Sequence, residues 1–294
     1  MPLPLYYFLA ITAINILMSW ALYLPYRVAH LHFLTVANMA ISGYLSGWLV
    51  QGLGISFWAA LPLGFAAGGL IGWVISLFIG EAPTFTVVIV GFTFIYITRT
   101  VVENTKAVGA TMGMFGLPLV AGSPALHRWT ILALLYSLVL VVGFLIHRFE
   151  HSRLGRAASA VFVDKDLATS FGVDIGKLGR LLQVFSSTVA GGCGVIYGFL
   201  YRSFHLDFFT FHLVGLFMTI IFVGGYATMW GVVVAAPALY GLTLLFPPEV
   251  ASWRIVIYGA ILVAVLVLKP EGFITRRLVL NLERLLSSQR KKIQ

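Results

Sequence analysis

The chain has 294 residues, of which 60% are hydrophobic and only 10% are charged. Soluble domains carry about 25% charged residues, so this composition, with its recurring long apolar runs, excludes an ordinary soluble protein. The net charge of +9 does not indicate nucleic acid, because 14 of the 19 Lys and Arg side chains are confined to a loop at 147–180, a tail from Lys269 onward, and Arg27.

Nine apolar stretches predict membrane-spanning helices. The predicted fold class is therefore all-α, a polytopic transmembrane bundle of about 8–10 spans with nine as the best count, in a single domain over 1–294. The predicted spans are 4–25, 33–50, 57–79, 84–101, 129–147, 180–200, 209–226, 228–246 and 254–268. Nine crossings place the basic loop and the C-terminal tail in the cytoplasm and the N-terminus outside. The short stretch 33–50 also fits a partial or re-entrant segment, which would leave eight crossings.

The second stretch carries a polar stripe, since Asn38, Ser42 and Ser46 recur every four residues. Gly43 and Gly47 form a G-x-x-x-G pattern, which predicts close approach of another helix. The stripe fits hydrogen bonding between helices, and it also fits the wall of a translocation pathway. Both interpretations stay open at this point.

The fourth stretch places Thr86, Thr93 and Thr100 at intervals of seven, hence on one face. Threonine hydroxyls can bond to their own helix, so the stripe is only a candidate pore lining. Arg99 precedes Glu103 by four residues near the predicted outer end. This spacing predicts an ion pair at the membrane interface or an electrostatic element at a solute vestibule.

The second half of the sequence contains few residues that could form a disulfide or a metal site. Cys193 is the only cysteine, so an intrachain disulfide and a thiolate metal site are excluded, and a small packing residue is expected. His205, Asp207 and His212 cluster on the predicted outside, but their spacing matches no strong metal site. Pro237 predicts an interruption of the eighth span.

The only long polar interruption, a loop at about 148–179, is helical in character. Asp164 can cap a helix N-terminus and Gly172 stands where that helix would end. Its apolar positions at helical spacing are Leu167, Ala168 and Phe171. A short helix presented to the cytoplasm predicts a binding partner, while a solvated connector is the plainer alternative. The basic tail at 269–294 predicts a helix on the membrane surface.

Several sequence motifs of nucleotide binding and hydrolysis are absent from the sequence. It has no G-x-x-x-x-G-K-[ST], no H-E-x-x-H and no G-x-S-x-G, and ionisable residues inside the spans are nearly absent. These patterns argue against an ATPase, a hydrolase and an ion-coupled carrier. We therefore expect a subunit that is driven by a partner.

Three stretches together resemble a known family. They are SRLGRAASAVFVDKDLATSFGVDIGKLGRLLQVFSSTVAGGCGVIYG, VGGYATMWGVVVAA and IYGAILVAVLVLKPEGF. In order and spacing they are similar to the permease of branched-chain amino acid ABC transporters, of the LivM type within the LivH/LivM family. The resemblance runs over essentially the whole chain.

The resemblance implies a multi-pass permease of an ATP-driven importer in the bacterial inner membrane. The solute would be a branched-chain or other amino acid delivered by a periplasmic binding protein. Implied partners are two cytoplasmic ATP-binding subunits, a second permease of the LivH type, and membrane lipid, with no nucleic acid. The chain itself would be no enzyme and bind no cofactor, since ATP and Mg would be used by the ATPase subunits.

The resemblance also implies site residues in the loop. Its coupling set, together with the capping and apolar positions noted above, is Arg153, Gly155, Arg156, Asp164, Asp166, Leu167, Ala168, Phe171 and Gly172. The candidate translocation residues are Asn38, Ser42, Ser46, Thr86, Thr93 and Arg99. Relatives tend to be charged just before the coupling helix, whereas residues 160–163 here are apolar. Ile89 and Phe94 also replace an expected hydroxyl and carboxylate.

Two alternatives stay open, the first from the departures at Ile89 and Phe94 and the second from the stripe of Asn38, Ser42 and Ser46, which could act as a filter. One is an importer permease of the same family for urea, small amides or aromatic acids. The other is an autonomous channel for a small neutral solute, which would have no use for a structured basic loop.

Overall fold

The computed structural model describes residues 2–28, 33–79, 82–244, 253–269 and 272–274. Within these ranges the fold is helical, as predicted. The helices are α1 (Leu3–Tyr26), α2 (Leu34–Leu53), α3 (Phe57–Ile79), α4 (Thr84–Asn104), α5 (Pro124–Glu150), α6 (Arg153–Val163), α7 (Lys165–Ser170), α8 (Ile175–Tyr201), α9 (Phe211–Gly224), α10 (Met229–Leu244) and α11 (Arg254–Leu268). Two short strands, β1 (Met114–Phe115) and β2 (Ser203–Phe204), pair antiparallel, and 3-10 turns cover Lys106–Val108, Ala110–Met112 and Leu206–Phe208.

Six helical segments in the described part are long and apolar enough to cross a membrane. They are Leu3–Tyr26, Phe57–Ile79, Thr84–Asn104, Pro124–Glu150, Ile175–Tyr201 and Leu206–Gly224. The apolar portions of α10 and α11 are shorter, and α2 has the length but carries the polar stripe. The all-α polytopic class is confirmed, whereas the count of nine crossings stays a prediction.

The chain divides into two compact units, residues 1–214 and 215–294. The prediction of a single functional domain over 1–294 stays a prediction. In the first unit, α8 packs against α1, α2 and α3, and α1 and α8 are the most deeply buried of the long helices. Small residues allow this packing: a methyl group at Gly68 would overlap Ser187 O, and one at Gly194 would overlap Met39 O.

The G-x-x-x-G pattern of α2 lets α8 approach closely, as predicted, and it also accepts a side chain from β2. A methyl group at Gly43 would lie 2.7 Å from Phe204 Cε1 and 3.0 Å from Gly194 O, and one at Gly47 would lie 2.8 Å from Phe204 Cε2. Gly198 of α8 faces the same ring. The surface formed by Gly43 and Gly47 therefore contacts the fully buried Phe204 of β2 as well as helix α8.

The start of α2 lies within the height of the bundle. A methyl group at Gly91, the eighth residue of α4, would lie 2.6 Å from Phe33 N, about 10 Å along the axis from the first residue of α4. Gly47, six residues before the last residue of α2, faces Phe204 of β2. Helix α2 has 20 residues and is therefore about 30 Å long, and the alternative of a partial or re-entrant segment stays a prediction.

The second unit, taken by itself, contains α10, α11 and most of α9. Helix α10 continues through Pro237, so the predicted interruption is wrong; neighbouring groups in a membrane helix can compensate for the missing N–H. Phe273 N donates to Val223 O at 3.0 Å and Ile274 N to Gly224 O at 2.9 Å, so the chain after α11 returns to the end of α9. Apart from Lys269 and 272–274, the predicted basic tail lies outside the described residues.

Candidate functional site

Two helices, α6 and α7, occupy the loop between α5 and α8, where the sequence predicted one. Each helix from α6 to α8 begins at a side-chain cap. Ser152 Oγ accepts from Gly155 N at 3.2 Å, Asp164 Oδ1 from Leu167 N at 2.9 Å, and Asp174 Oδ1 from Lys177 N at 2.9 Å. The loop is therefore a folded unit, called the α6–α7 unit below.

The predicted boundaries of the short helix are confirmed. Asp164 is the N-cap of α7, and it is also the C-terminal cap residue of α6. Gly172 follows the helix with φ +81°, a backbone conformation that glycine adopts without strain. Gly172 N donates to Thr169 O at 2.9 Å, and Val173 N donates to Ala168 O at 3.2 Å.

Four large apolar side chains of this unit are exposed: Leu154 near the start of α6, at 47%, and three at or after the end of α6. Val163 is 85% exposed, Leu167 55% and Phe171 81%, and they follow one another at intervals of four residues. We call this set the exposed apolar patch. Ala168, which the sequence pattern grouped with Leu167 and Phe171, is instead buried, with 2% exposure. Helical spacing did not predict the exposure of Val163, because Val163 ends α6 and the extended Asp164 separates it from α7.

Charged side chains of the same unit are exposed as well. Arg153, Arg156 and Asp166 of the predicted coupling set are exposed, while Gly155 is buried. A methyl group at Gly155 would overlap Phe149 O, so this glycine lets α6 pack closely against the end of α5. Arg153, Gly155 and Arg156 of the predicted coupling set thus lie at the start of α6.

The α6–α7 unit is attached to the end of α1. Tyr23 OH donates to Glu150 Oε1 at 2.5 Å, and Arg27 Nη2 donates to Ser159 Oγ at 2.6 Å. The rings of Tyr26 and Phe162 meet edge to face with their centroids 5.4 Å apart. The sequence assigned Arg27 only to membrane sidedness and missed these contacts, because no local pattern relates the two segments.

The start of α8 carries the clearest electrostatic feature of this end of the bundle. The backbone N–H of Lys177 holds the pKa of Asp174 below its ordinary value, and the Lys177 ammonium, 2.9 Å from Asp174 Oδ2, acts in the same direction. The carboxylate stays ionised at neutral pH and stabilises the helix N-terminus.

The predicted translocation residues fall in two separate places. Asn38, Ser42 and Ser46 are fully buried where α2 meets its neighbours, and Ser46 Oγ donates to Ala60 O at 3.4 Å. Thr86 and Thr93 lie on the exposed face of α4. Within the described residues, Ser46 bonds to another helix, whereas the side chains of Asn38 and Ser42 have buried polar atoms without a hydrogen-bond partner, so both interpretations of the stripe stay predictions.

An ion-pair cluster lies at the opposite end of the first unit. Arg99 Nε lies 2.8 Å from Glu103 Oε1, and Arg99 Nη2 lies 3.4 Å from Asp207 Oδ1. His205 Nδ1 lies 3.3 Å from Asp207 Oδ2. In the described ranges, no group of three or more His, Cys, Asp or Glu side chains is placed to hold a metal ion. The predicted Arg99–Glu103 pair is confirmed, and it also connects α4 to the turn after β2.

Two comparisons with known proteins found related transport proteins. Residues 5–266 match the family described as branched-chain amino acid transport system / permease component. The chain is similar to the high-affinity branched-chain amino acid transport system permease protein LivM of Salmonella typhimurium, with 24% identity over 265 residues that cover 80% of this chain and 61% of that relative. The chain thus spans about three fifths of the length of the curated relative it matches. No solved structure matches the chain.

Proposed function

We infer that this chain, which belongs to the family of permease components of branched-chain amino acid transport systems, is the transmembrane permease subunit of an ATP-driven importer. The observation that carries this inference is the exposed apolar patch on the α6–α7 unit. Exposed apolar side chains of this size, close together in the chain and accompanied by exposed charged residues, are typical of a protein interaction site. A passive channel would have no use for such a surface.

The partner of the patch is a cytoplasmic ATP-binding subunit. Val163, Leu167 and Phe171 would enter an apolar groove of that subunit, while Arg153, Arg156 and Asp166 remain at the polar rim. Two such subunits would bind ATP and Mg, and this chain would contribute no residue to hydrolysis. The basic loop and the C-terminal tail would then lie on the cytoplasmic side of a bacterial inner membrane.

The solute is a branched-chain or other amino acid, delivered from outside by a periplasmic binding protein. The exposed face of α4 supports a pathway at a boundary with a second permease subunit, because Thr86 and Thr93 leave hydroxyls on that face. Arg99 would stand at its outer end, where its charge can attract a carboxylate. Asn38, Ser42 and Ser46 act in helix packing in this scheme.

The test is uptake in proteoliposomes that contain this chain with its candidate ATPases, second permease and binding protein. We expect radiolabelled leucine to enter only with internal ATP and external binding protein. Competition with urea, small amides and aromatic acids then ranks the solute classes. Solute flux without any ATPase, equal with and without ATP, would establish the autonomous channel instead.

A further inference from the structure

We propose that the cytoplasmic end of α1, formed by Tyr23, Tyr26 and Arg27, transmits the movement of the α6–α7 unit to the transmembrane bundle. The inference rests on the proposed function and assigns these three as positioning residues for ATP-driven transport. The sequence patterns pointed only to the loop itself.

Each of the three side chains holds a different point. Tyr23 holds the last residue of α5 through Glu150, and Arg27 holds the middle of α6 through Ser159. Tyr26 packs against Phe162 near the end of α6. Hydrogen bonds with an ionised partner are stronger and shorter than neutral ones, so this attachment resists separation.

The contacts form one cluster rather than three independent points. The guanidinium of Arg27 lies over the Tyr23 ring, 5.9 Å from its centroid. Ser159 Oγ, which accepts from Arg27, donates to Gly155 O at 3.0 Å inside α6. A shift of α6 relative to α1 must therefore break a charged hydrogen bond and an aromatic contact together.

The exposed apolar patch is directly connected to α6. Asp164 ends α6 and begins α7, with its backbone N donating to Ala160 O at 3.0 Å and its carboxylate accepting from Leu167 N. Movement of Leu167 by a docked partner is thus passed to α6 across one capping residue.

Helix α1 carries the displacement into the core. Ser186 Oγ of α8 donates to Ala21 O, one turn from Pro25, and the rings of Tyr7 and Tyr201 stack 5.7 Å apart at the other end of the same helix pair. Since α1 is buried along most of its length, it cannot move alone. These packed contacts supply a continuous physical connection from the patch to the centre of the bundle.

The experiment uses the reconstituted complex with variants Tyr23→Phe, Arg27→Gln and Arg27→Lys. Tyr136→Phe is the matched control, because Tyr136 OH also joins α5 to α1, donating to Leu9 O at 3.4 Å, but far from the loop. Three quantities are measured: ATPase association, basal ATP hydrolysis, and the uptake stimulated by binding protein.

We expect Tyr23→Phe and Arg27→Gln to retain association and basal hydrolysis and to lose stimulated uptake by roughly tenfold, the effect of one hydrogen bond to a charged group. Arg27→Lys should recover part of the uptake, and Tyr136→Phe should resemble wild type. The double variant Arg27→Gln/Ser159→Ala should be no worse than Arg27→Gln alone if the two residues act as a pair.

Two results overturn the inference in distinguishable ways. If wild-type complex couples and Arg27→Gln and Tyr23→Phe couple equally well, the role of α1 is wrong while the importer stands. If the wild-type chain binds no ATPase at all, the proposed function fails and the inference fails with it.

Discussion

Leu167 and Ala168 are neighbours in the chain but have opposite environments: Leu167 is 55% exposed, whereas Ala168 is 2% exposed. Helix α7 therefore exposes Leu167 and turns Ala168 inward. A substitution at one position tests docking, and the same substitution at the other tests folding of the α6–α7 unit.

Ala168→Glu should unfold the unit locally, because it buries a carboxylate without a partner. We expect a loss of local stability on the order of 3 kcal/mol. Limited proteolysis of the loop in detergent should show faster cleavage for Ala168→Glu than for wild type. Leu167→Glu is the control and should leave the cleavage rate unchanged; equal cleavage of both variants would contradict the burial of Ala168.

Phe171→Ser and Val163→Ser should weaken binding of the ATPase without destabilising the permease. Both side chains are more than four-fifths exposed, so their removal opens no cavity, while each would lose about 1–3 kcal/mol of apolar burial at the interface. Co-purification at graded ATPase concentrations measures the effect as a shift in half-saturation.

The control for this comparison is Thr169→Ala. Thr169 is also exposed on α7, but its hydroxyl donates to Lys165 O within the same helix, at 2.9 Å. We expect its half-saturation to match that of wild type. If Phe171→Ser binds the ATPase as tightly as Thr169→Ala, the exposed apolar patch is not the docking surface.

Gly198→Ala should destabilise the bundle, because the added methyl group would overlap the ring of Phe204. Overpacking of a tight core costs about 1–3 kcal/mol. Thermal unfolding in detergent should show a lowered Tm, and the double variant Gly198→Ala/Phe204→Leu should recover part of the loss. Gly259→Ala, where a methyl group meets open space, should not lower the Tm; a double variant less stable than Gly198→Ala alone would disprove the ring contact.

The N-terminal cap of α8 should respond to acid but not to pH changes near neutrality. The folded-state pKa of Asp174 lies below its unfolded value, so its stabilisation is fully present above about pH 4 and is lost as the pH falls through the lowered pKa. The Lys177 amide resonance should therefore be constant from about pH 5 to 8 and titrate below the ordinary aspartate range. Asp174→Asn should abolish that titration, and a Lys177 midpoint at or above the ordinary value would contradict the cap.

Much of this molecule follows from local sequence patterns. Apolar runs predicted the helices, and the residue types at Asp164 and Gly172 predicted the limits of α7 correctly, because capping signals act within one turn of helix. The distribution of basic residues also predicted that Arg27 and the basic loop lie on the same side of the membrane, because Lys and Arg are enriched in cytoplasmic loops. The α6 helix was missed because Ser152 was not considered as a cap.

Only the tertiary structure decided which surfaces meet. Tyr23 is 127 residues from Glu150 and Arg27 is 132 from Ser159, and no local periodicity encodes contacts across such separations. The packing of Phe204 against glycines of α2 and α8 likewise depends on segments that are distant in the sequence. The sequence by itself determined a helical membrane protein with a structured basic loop, because burial in lipid and helix capping are local constraints. Packing of distant segments determined which face of that loop is exposed and which helix holds it.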